Sequence, residues 1–388
     1  MTAAENGRHG AADGPLDGVR VVELAGIGPA PFAAMLLADL GADVVRVDRP
    51  HGSVLDIDPA RDLTNRNKRS VIIDLKSADG PASVLSLAGR ADILLEGYRP
   101  GVAERLGVGP EECLKRNPKL VYGRMTGWGQ DGPLAQRAGH DLGYIAVTGA
   151  LGLSGPAGGP PYAPANLLGD FAGGSLYLVV GVLGALHRAR TEGGAGQVVD
   201  AAIVDGTSHL TAMIHGMLNA GSWQDRRGAN LFDGGSPFYA TYETADGGHM
   251  AVGALEPQFY AEFTRLLGLG DALPPREDLA RWDELREAVA ARFRTRTREE
   301  WTGVFQDSDA CVAPVLSLRE APAHPQLAAR GTFVEHAGDT QPAPAPRFSA
   351  TPGSVRRPPP LPGADTAEVA RDWGLPALDT DESEVSAK

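Results

Sequence analysis

The sequence predicts an α/β protein with a doubly wound, mostly parallel sheet and a smaller α+β unit. Short β-branched runs alternate with helical segments over the first 130 residues. A chain of 388 residues is also too long for one minimal domain. The alternation of strands and helices ends at residues 238–253, where two strand-like runs flank Ala245-Asp246-Gly247-Gly248. This arrangement favours a hairpin. The smaller unit is expected to begin near this hairpin.

The elements follow in order along the chain. A strand at 19–24, a glycine-rich turn, a helix at 31–40 ended by Gly41 and a strand at 43–48 form a βαβ unit. Further buried strands are predicted at 70–75, 92–96 and 120–124. Helices are predicted at 256–267, 283–293 and 366–373, and Thr297 with Glu300 forms a capping-box pattern. The proline-rich stretch 341–362 reads as a connector.

Composition excludes several classes of function. The net charge of −13 repels nucleic-acid backbones, although a local basic pocket could hold one phosphorylated ligand. Two cysteines, Cys113 and Cys311, cannot form a disulfide framework, so a reducing cytoplasm is expected. The polar N-terminus lacks the apolar core of a signal peptide. The most apolar stretch, 171–186, is expected to be a buried core helix too short to span a membrane.

Two motifs resemble known sites without completing them, and the histidines form no metal-binding motif. Residues 26–31 resemble a dinucleotide fingerprint that ends at Asp48, but the third glycine is missing and two prolines remove backbone donors, which favours a sharp strand-to-helix turn. Ser175 fails the nucleophile-elbow pattern at its last position. The nine histidines include no metal-binding pair, so no metal is expected.

Three polar residues stand where loops enter helices. His140 precedes an apolar segment, near N–H groups that favour negative charge. Asp170 enters a glycine-rich helix, where the pattern alone favours a plain N-cap over a reacting group. Glu256 precedes Pro257, as an ordinary first-turn acid would.

Basic residues cluster around the predicted strand ends, where open α/β sheets bind ligands. They could hold the phosphates of a ligand such as coenzyme A, but a solvated basic surface explains them better from sequence chemistry alone. The cluster consists of Arg49, Arg61, Arg66, Lys68, Arg69, Arg99 and Arg105.

Taken together, these segments resemble the class III CoA-transferase (CaiB/BaiF) family, and most closely its α-methylacyl-CoA racemase branch. The resemblance runs from about residue 15 to 348, and the order and spacing of its pieces carry it. They are 22–26 with 41–45, Glu96-Gly97-Tyr98-Arg99-Pro100-Gly101-Val102, Met125-Thr126-Gly127-Trp128-Gly129-Gln130, Gly139-His140-Asp141, 166–174, 196–200, 233–235 and 253–260.

The resemblance implies a Rossmann-like large domain interrupted by a small domain, in an interlocked homodimer whose acyl site is completed by the partner's small domain. The implied divisions are an extension (1–14), a large CoA-binding domain (15–205), a linker helix (206–231), a small domain (232–325), a return segment (326–378) and a mobile tail (379–388). The residues that match the CoA-binding region are Asp48, Arg49, Glu96, Tyr98, Arg99 and Arg105.

The resemblance also implies the chemistry. His140 and Asp170 would exchange the α-proton of a 2-methylacyl-CoA on opposite faces of an enolate, with Glu256 supporting His140 and the backbone N–H groups at His140 and Asp141 stabilising the enolate oxygen. No cofactor or metal is expected. The alternatives are CoA transfer with Asp170 as nucleophile and a CoA-binding protein without catalysis. The loop 151–164 is expected to contact the acyl chain.

Overall fold

The computed structural model describes residues 14–50, 57–270, 273–376 and 378. Nearly all of the predicted extension (1–14) and the whole tail (379–388) lie outside the described residues. The chain divides into two compact units. The first comprises Met1–Thr148, Pro164–Leu210 and Gly331–Lys388, and the second comprises Gly149–Ala163 and Thr211–Arg330. Residues 149–163 therefore pack with the second unit, within a range that the sequence analysis assigned to the large domain.

A six-stranded parallel sheet forms the centre of the first unit, which confirms the predicted α/β class. Its strands are β1 (Arg20–Leu24), β2 (Asp43–Asp48), β3 (Lys68–Ile72), β4 (Ile93–Glu96), β5 (Val121–Thr126) and β6 (Gln197–Ala202). Their order, β3-β2-β1-β4-β5-β6, reverses direction between β1 and β4, as in Rossmann folds. Ligands of such sheets bind beyond the carboxyl ends of the strands at this point.

Helices cover both faces of the sheet over two apolar clusters. They are α1 (Pro29–Asp39), α2 (Gly80–Ala88), α3 (Val102–Arg105), α4 (Pro110–Arg116), α5 (Asp141–Val147), a π-helix (Leu167–Ser175), α6 (Leu176–Arg190) and α7 (Ile203–Leu210). The turn between β1 and α1 has the predicted strand-to-helix form, with Gly28 as N-cap at φ 71°.

The π-helix and α6 form one helical segment, Leu167–Arg190, whose 24 residues are long and apolar enough to cross a membrane by length and composition. The expectation of a segment too short to span is therefore wrong. The inner side of α6 packs against the core through Leu178, Val182 and Ala185, as a core helix does, whereas Val180 is 70% exposed. Only one side of this helix is buried within the first unit.

The second unit contains α8 (Ala212–Asn219) and the antiparallel sheet β7 (Tyr239–Glu243), β8 (His249–Gly253) and β9 (Val312–Pro314). The hairpin that joins β7 and β8 is the predicted one. Helices α9 (Pro257–Leu267), α10 (Trp282–Phe293) and α11 (Arg298–Phe305) pack on this sheet around an aromatic core. The predicted capping box of Thr297 and Glu300 begins α11. A short helix, α12 (Pro325–Ala329), follows.

The return segment closes the first unit with β10 (Phe333–His336), β11 (Asp339–Pro342) and α13 (Thr366–Trp373). Asn67 joins it to the strand region, because its Oδ1 accepts from the backbone N–H groups of Arg356 and Arg357 at 2.6 and 3.0 Å. Trp373 is 2% exposed and donates to Asp43 Oδ2 at 2.7 Å. The last helix is therefore part of the core of this unit.

Candidate active site

His140 and Asp170 line the same cavity of about 300 Å³ in the first unit, named here the His140 cavity. Its other walls come from the residues that follow β1, β4 and β5, including Gly28, Arg99 and Trp128. The cavity thus lies at the carboxyl ends of the strands, beside the reversal of strand order. Two residues that are 30 positions apart in sequence are brought together where a parallel sheet binds its ligands.

The π-helix carries Asp170. The N–H of Leu176 donates to the carbonyl of Phe171, five residues back, which is the π pattern. Two glycines permit this wide turn to pack closely: a Cβ on Gly169 would lie 2.4 Å from Asp141 Oδ1, and a Cβ on Gly173 would lie 2.3 Å from Thr207 Oγ1. Asp170 is inside this helix, which begins at Leu167 after Asn166, so the N-cap interpretation of Asp170 is wrong.

The carboxylate of Asp170 is half-buried and has one side-chain hydrogen bond, from Asn166 Nδ2 to Oδ2 at 3.0 Å. Burial raises the pKa of Asp170, the bond from Asn166 lowers it, the nearby charge of Asp141 raises it and His140 lowers it, with a raised pKa as the net result. A carboxyl group with a raised pKa is better matched to give and take protons near neutrality.

His140 is the N-cap of α5, with extended backbone (φ −138°, ψ 169°), as the sequence predicts. Its side chain is exposed and faces the cavity. The next residue, Asp141, is only 5% exposed, and its Oδ1 accepts from the backbone N–H of Asp170 at 2.7 Å. The two adjacent residues thus lie in different places: His140 lines the cavity, and Asp141 lies behind its wall.

Tyr144, which the sequence analysis missed, closes one wall of the cavity. A Cβ on Gly127 would lie 1.9 Å from Tyr144 Cζ, and one on Gly139 would lie 2.6 Å from Tyr144 Cε1, so both positions admit only glycine while the ring stays in place. Trp128 packs edge-on against the ring at a centroid distance of 4.8 Å. Tyr144 follows His140 by four residues, which places both on one face of α5. This spacing was the signal in the sequence that could have identified Tyr144.

Known proteins resemble this chain over most of its length. The model of CoA-transferase family III matches residues 16–366. The chain belongs to CoA-transferase family III. It is 45% identical over 364 residues to the α-methylacyl-CoA racemases of Mus musculus and Homo sapiens, covering 93% of this chain and 93% and 94% of those proteins. The crystal structure of a CaiB/BaiF family protein from Brucella suis matches with a TM-score of 0.80 at 26% identity, over 93% of this chain and 100% of that chain. The predicted family and fold are confirmed.

The residues expected from the family to bind CoA fall into separate places. Tyr98 and Arg99 line the His140 cavity. Asp48 and Arg49 line an adjoining cavity of about 450 Å³, named here the Arg46 cavity. Both cavities include Ile27 and Gly28, and the guanidinium of Arg49 lies 6.0 Å from the centroid of the Tyr98 ring. Arg46, which the sequence analysis missed, and Asp48 form an ion pair of 2.9 Å on the wall of the second cavity. Arg105 is exposed and lines neither cavity.

Glu96 lies beneath the cavity wall and lines neither cavity. Its carboxylate is fully buried, accepts from the backbone N–H of Tyr98 at 2.6 Å and pairs with Arg124 Nε at 2.9 Å. Burial raises the pKa of Glu96 to about 7 against the opposing influence of these two donors. These contacts hold the 97–100 loop, which forms part of the wall of the His140 cavity.

Three members of the basic cluster are buried in internal ion pairs. Arg66 pairs with Asp39, Lys68 with Glu23 and Arg69 with Asp43, at 2.6 Å each. Neither a solvated surface nor a phosphate site describes them. In each case an acid of a neighbouring element pairs with the cation, since Asp39 belongs to α1, Glu23 to β1 and Asp43 to β2.

Glu256 lies in the second unit as the N-cap of α9, directly before the first turn, so the first-turn interpretation is wrong, whereas Pro257 begins the helix as predicted. Its side chain is exposed and makes no capping hydrogen bond. Over the described residues, no group of three His, Cys, Asp or Glu side chains could hold a metal ion. Cys113 and Cys311 are both free thiols, the first buried and the second exposed.

Proposed function

We propose that this enzyme is an isomerase that inverts the α-carbon of 2-methylacyl-CoA thioesters. The observation that carries the proposal is the presence of His140 and Asp170 on the walls of one cavity at the carboxyl edge of the sheet. The identity of 45% to two α-methylacyl-CoA racemases supports the same activity.

In the proposed reaction, one of the two side chains removes the proton from the α-carbon, and the C–H electron pair passes into the thioester carbonyl to give an enolate. The other side chain returns a proton to the opposite face, which restores the thioester and inverts the carbon. The enzyme ends with its proton on the other residue, and exchange with solvent resets it. Backbone N–H groups at the start of α5 would stabilise the enolate oxygen.

Glu256 would accept a hydrogen bond from the second ring nitrogen of His140 and support its charged form. Since Glu256 belongs to the second unit, the proposed interlocked dimer supplies it from the partner chain. Co-expression of His140→Ala and Glu256→Gln chains should then restore activity in heterodimers that carry one intact site. Light scattering that found a fully active monomer would contradict the dimer.

The thioester itself supplies coenzyme A, and the proposed chemistry uses only protein acids and bases, without a cofactor. The CoA moiety would extend from the His140 cavity toward the Arg46 cavity, along Arg99, Tyr98, Arg49 and Asp48. A cytoplasmic location, and the absence of nucleic-acid and membrane partners, stay predictions.

The second candidate is CoA transfer between carboxylic acids, which the family name and the position of Asp170 on the wall of the His140 cavity favour. Its carboxylate would attack the thioester carbonyl and expel the CoA thiolate, which gives a mixed anhydride. The thiolate would then attack the aspartyl carbonyl, release the acyl group as a free carboxylate and leave an aspartyl-CoA thioester, from which CoA passes to the acceptor acid. The third is binding of CoA without catalysis.

Each epimer of a 2-methylacyl-CoA, incubated with the enzyme in deuterated water, distinguishes these functions. A racemase converts either epimer to a mixture of both and places one deuterium on the α-carbon. Transfer of CoA to an added carboxylic acid with no α-label, together with a trapped Asp170 thioester, would establish the second candidate. Binding with neither reaction would leave the third.

A further inference from the structure

Asp170 is held at two points by residues that do not line the His140 cavity, although Asn166 lines the adjoining Arg46 cavity. Asn166 Nδ2 donates to Oδ2 at 3.0 Å, and Asp141 Oδ1 accepts from the backbone N–H at 2.7 Å. A Cβ on Gly28 would lie 3.4 Å from Oδ2, so this oxygen also lies against the start of α1. Among the described residues, Oδ1 of Asp170 has no hydrogen-bond partner, so the two carboxylate oxygens stand in different surroundings.

We propose that Asn166 and Asp141 are positioning residues for Asp170, and that they leave Oδ1 as the oxygen that exchanges the α-proton. Asn166 fixes the rotation of the carboxylate, and Asp141 fixes the backbone turn from which it projects. The inference rests on the proposed proton transfer by Asp170, and it adds a side-chain role to Asp141, whose backbone N–H is proposed to stabilise the enolate oxygen.

Asp141 cannot itself reach the substrate. The residue is 5% exposed and does not line the His140 cavity. Its Oδ1 is occupied by the N–H of Asp170, and its Oδ2 is buried without a hydrogen-bond partner among the described residues. A carboxylate enclosed in this way costs free energy, and its field acts strongly on a neighbouring carboxyl group. Position, and not proton transfer, is therefore its contribution.

The two positioning residues act in opposite directions on the charge of Asp170. The hydrogen bond from Asn166 lowers the pKa of Asp170, whereas the charge of Asp141 raises it. The other groups that face it are His140, which lowers the pKa, and Tyr144 and Arg99, which line the same cavity. Removing one positioning residue at a time should thus move the titration of Asp170 in opposite senses, which general damage to the fold would not do.

The test is the pH dependence of kcat/KM for racemisation by Asn166→Ala and Asp141→Asn. His140 and Asp170 together carry one proton in the active enzyme. The fall of kcat/KM at low pH, called here the acid limb, therefore reports protonation of the Asp170 carboxylate in the free enzyme. Asn166→Ala should move this limb to higher pH and lower kcat by about ten- to a hundredfold through lost orientation. Asp141→Asn keeps an acceptor oxygen but loses the charge, so the limb should move to lower pH.

Asp79→Asn is the matched control, because it removes one exposed carboxylate that precedes α2 without a capping bond. It should leave the acid limb in place. Limbs that stay unchanged in both variants, or that move the same way, would overturn the inference. If Asp141→Asn does not fold, the direction of the Asn166→Ala shift decides.

A second readout does not depend on activity. Carbon-13 NMR of enzyme labelled at the aspartate carboxyl carbons follows the titration of Asp170 directly, with Asp170→Asn to assign its signal. Opposite shifts in the two variants, in an enzyme that does not racemise, would retain the positioning roles and reject the proposed function. Racemisation without these shifts would support the proposed function and reject the positioning roles.

Discussion

Lys68 Nζ donates to Glu23 Oε2 at 2.6 Å, and both side chains are fully buried within the first unit. Arg46, on the wall of the Arg46 cavity, binds the other oxygen of Glu23 at 2.6 Å. Lys68 also donates to the carbonyl of Pro31 in α1 at 3.0 Å. Burial lowers the pKa of Lys68 to about 8, against the opposing charge of Glu23. This pair therefore joins β1, β3 and α1 beneath the cavities.

Lys68→Met should destabilise the protein by about 3 to 5 kcal/mol, because a buried carboxylate loses one of its two cations. Adding Glu23→Gln should recover part of that loss, since the charge left without its partner is then removed. Urea unfolding of both variants measures the two effects. A Lys68→Met protein whose free energy of unfolding lies within about 1 kcal/mol of the wild-type value would contradict the prediction.

Each single-base variant should exchange one epimer with solvent while losing racemisation. In deuterated water, His140→Ala should label one epimer of a 2-methylacyl-CoA with retention, and Asp170→Ala should label the other, because the remaining group still exchanges a proton on its own face. Mass spectrometry with chiral separation follows both label and configuration. Labelling of the same epimer by both variants would indicate a single mobile base.

Glu256→Gln should fold normally and racemise roughly ten to a thousandfold more slowly, since an amide cannot balance the charge that forms on His140. Circular dichroism checks the fold, and steady-state kinetics measures kcat. Glu277→Gln, at another exposed acid of the second unit, is the control and should keep wild-type turnover. Near-normal turnover of a folded Glu256→Gln protein would remove Glu256 from the site.

Gly169→Ala should lower kcat by about a hundredfold, because the added Cβ would lie 2.4 Å from Asp141 Oδ1 and 2.9 Å from Ile145 Cγ2. The turn that carries Asp170 must then move. Gly143→Ala is the matched control: nothing lies within 4 Å of its added Cβ, and it should stabilise α5 by up to about 1 kcal/mol. Thermal unfolding and steady-state kinetics of the two variants provide the comparison. Equal kcat values in the two variants would contradict the prediction for Gly169→Ala.

Activity should survive exhaustive treatment with a chelator, because the proposed reaction uses side-chain acids and bases. The measurement is the racemisation rate before and after chelation, with metal content followed by mass spectrometry. Loss of activity that one specific divalent ion restores would argue against the mechanism.

The sequence predicts those elements that local pattern determines. Strand β2 and helix α13 have the predicted bounds, because their apolar spacing and flanking residues agree. Strand β6 was missed, since Gln197 and Asp200 interrupt its apolar pattern. Strand β3 begins two residues earlier than predicted, at Lys68, because Glu23 and Asp43 pair with the two charged side chains of Lys68 and Arg69, which otherwise argue against a buried strand.

The site was predictable only in part. The order of the sequence motifs identified His140 and Asp170 as candidate site residues. The structure adds that both side chains line one cavity. The π-helix could not be foreseen, because its wide turn depends on glycines that pack against Asp141 and Thr207 from other helices. The separation of Glu96 from the cavity likewise depends on its ion pair with Arg124, a partner 28 residues away.

The contacts of Asn67 and Trp373 bear on the order in which the chain matures during synthesis. Asn67 leaves the ribosome early, but its Oδ1 receives its donors from residues 356 and 357, and Asp43 receives the indole of Trp373. The second unit, by contrast, has all of its residues by Arg330. The nascent chain can therefore complete the second unit before the first, while the parallel sheet, whose last strand ends at Ala202, lacks α13 until Thr366–Trp373 has been made.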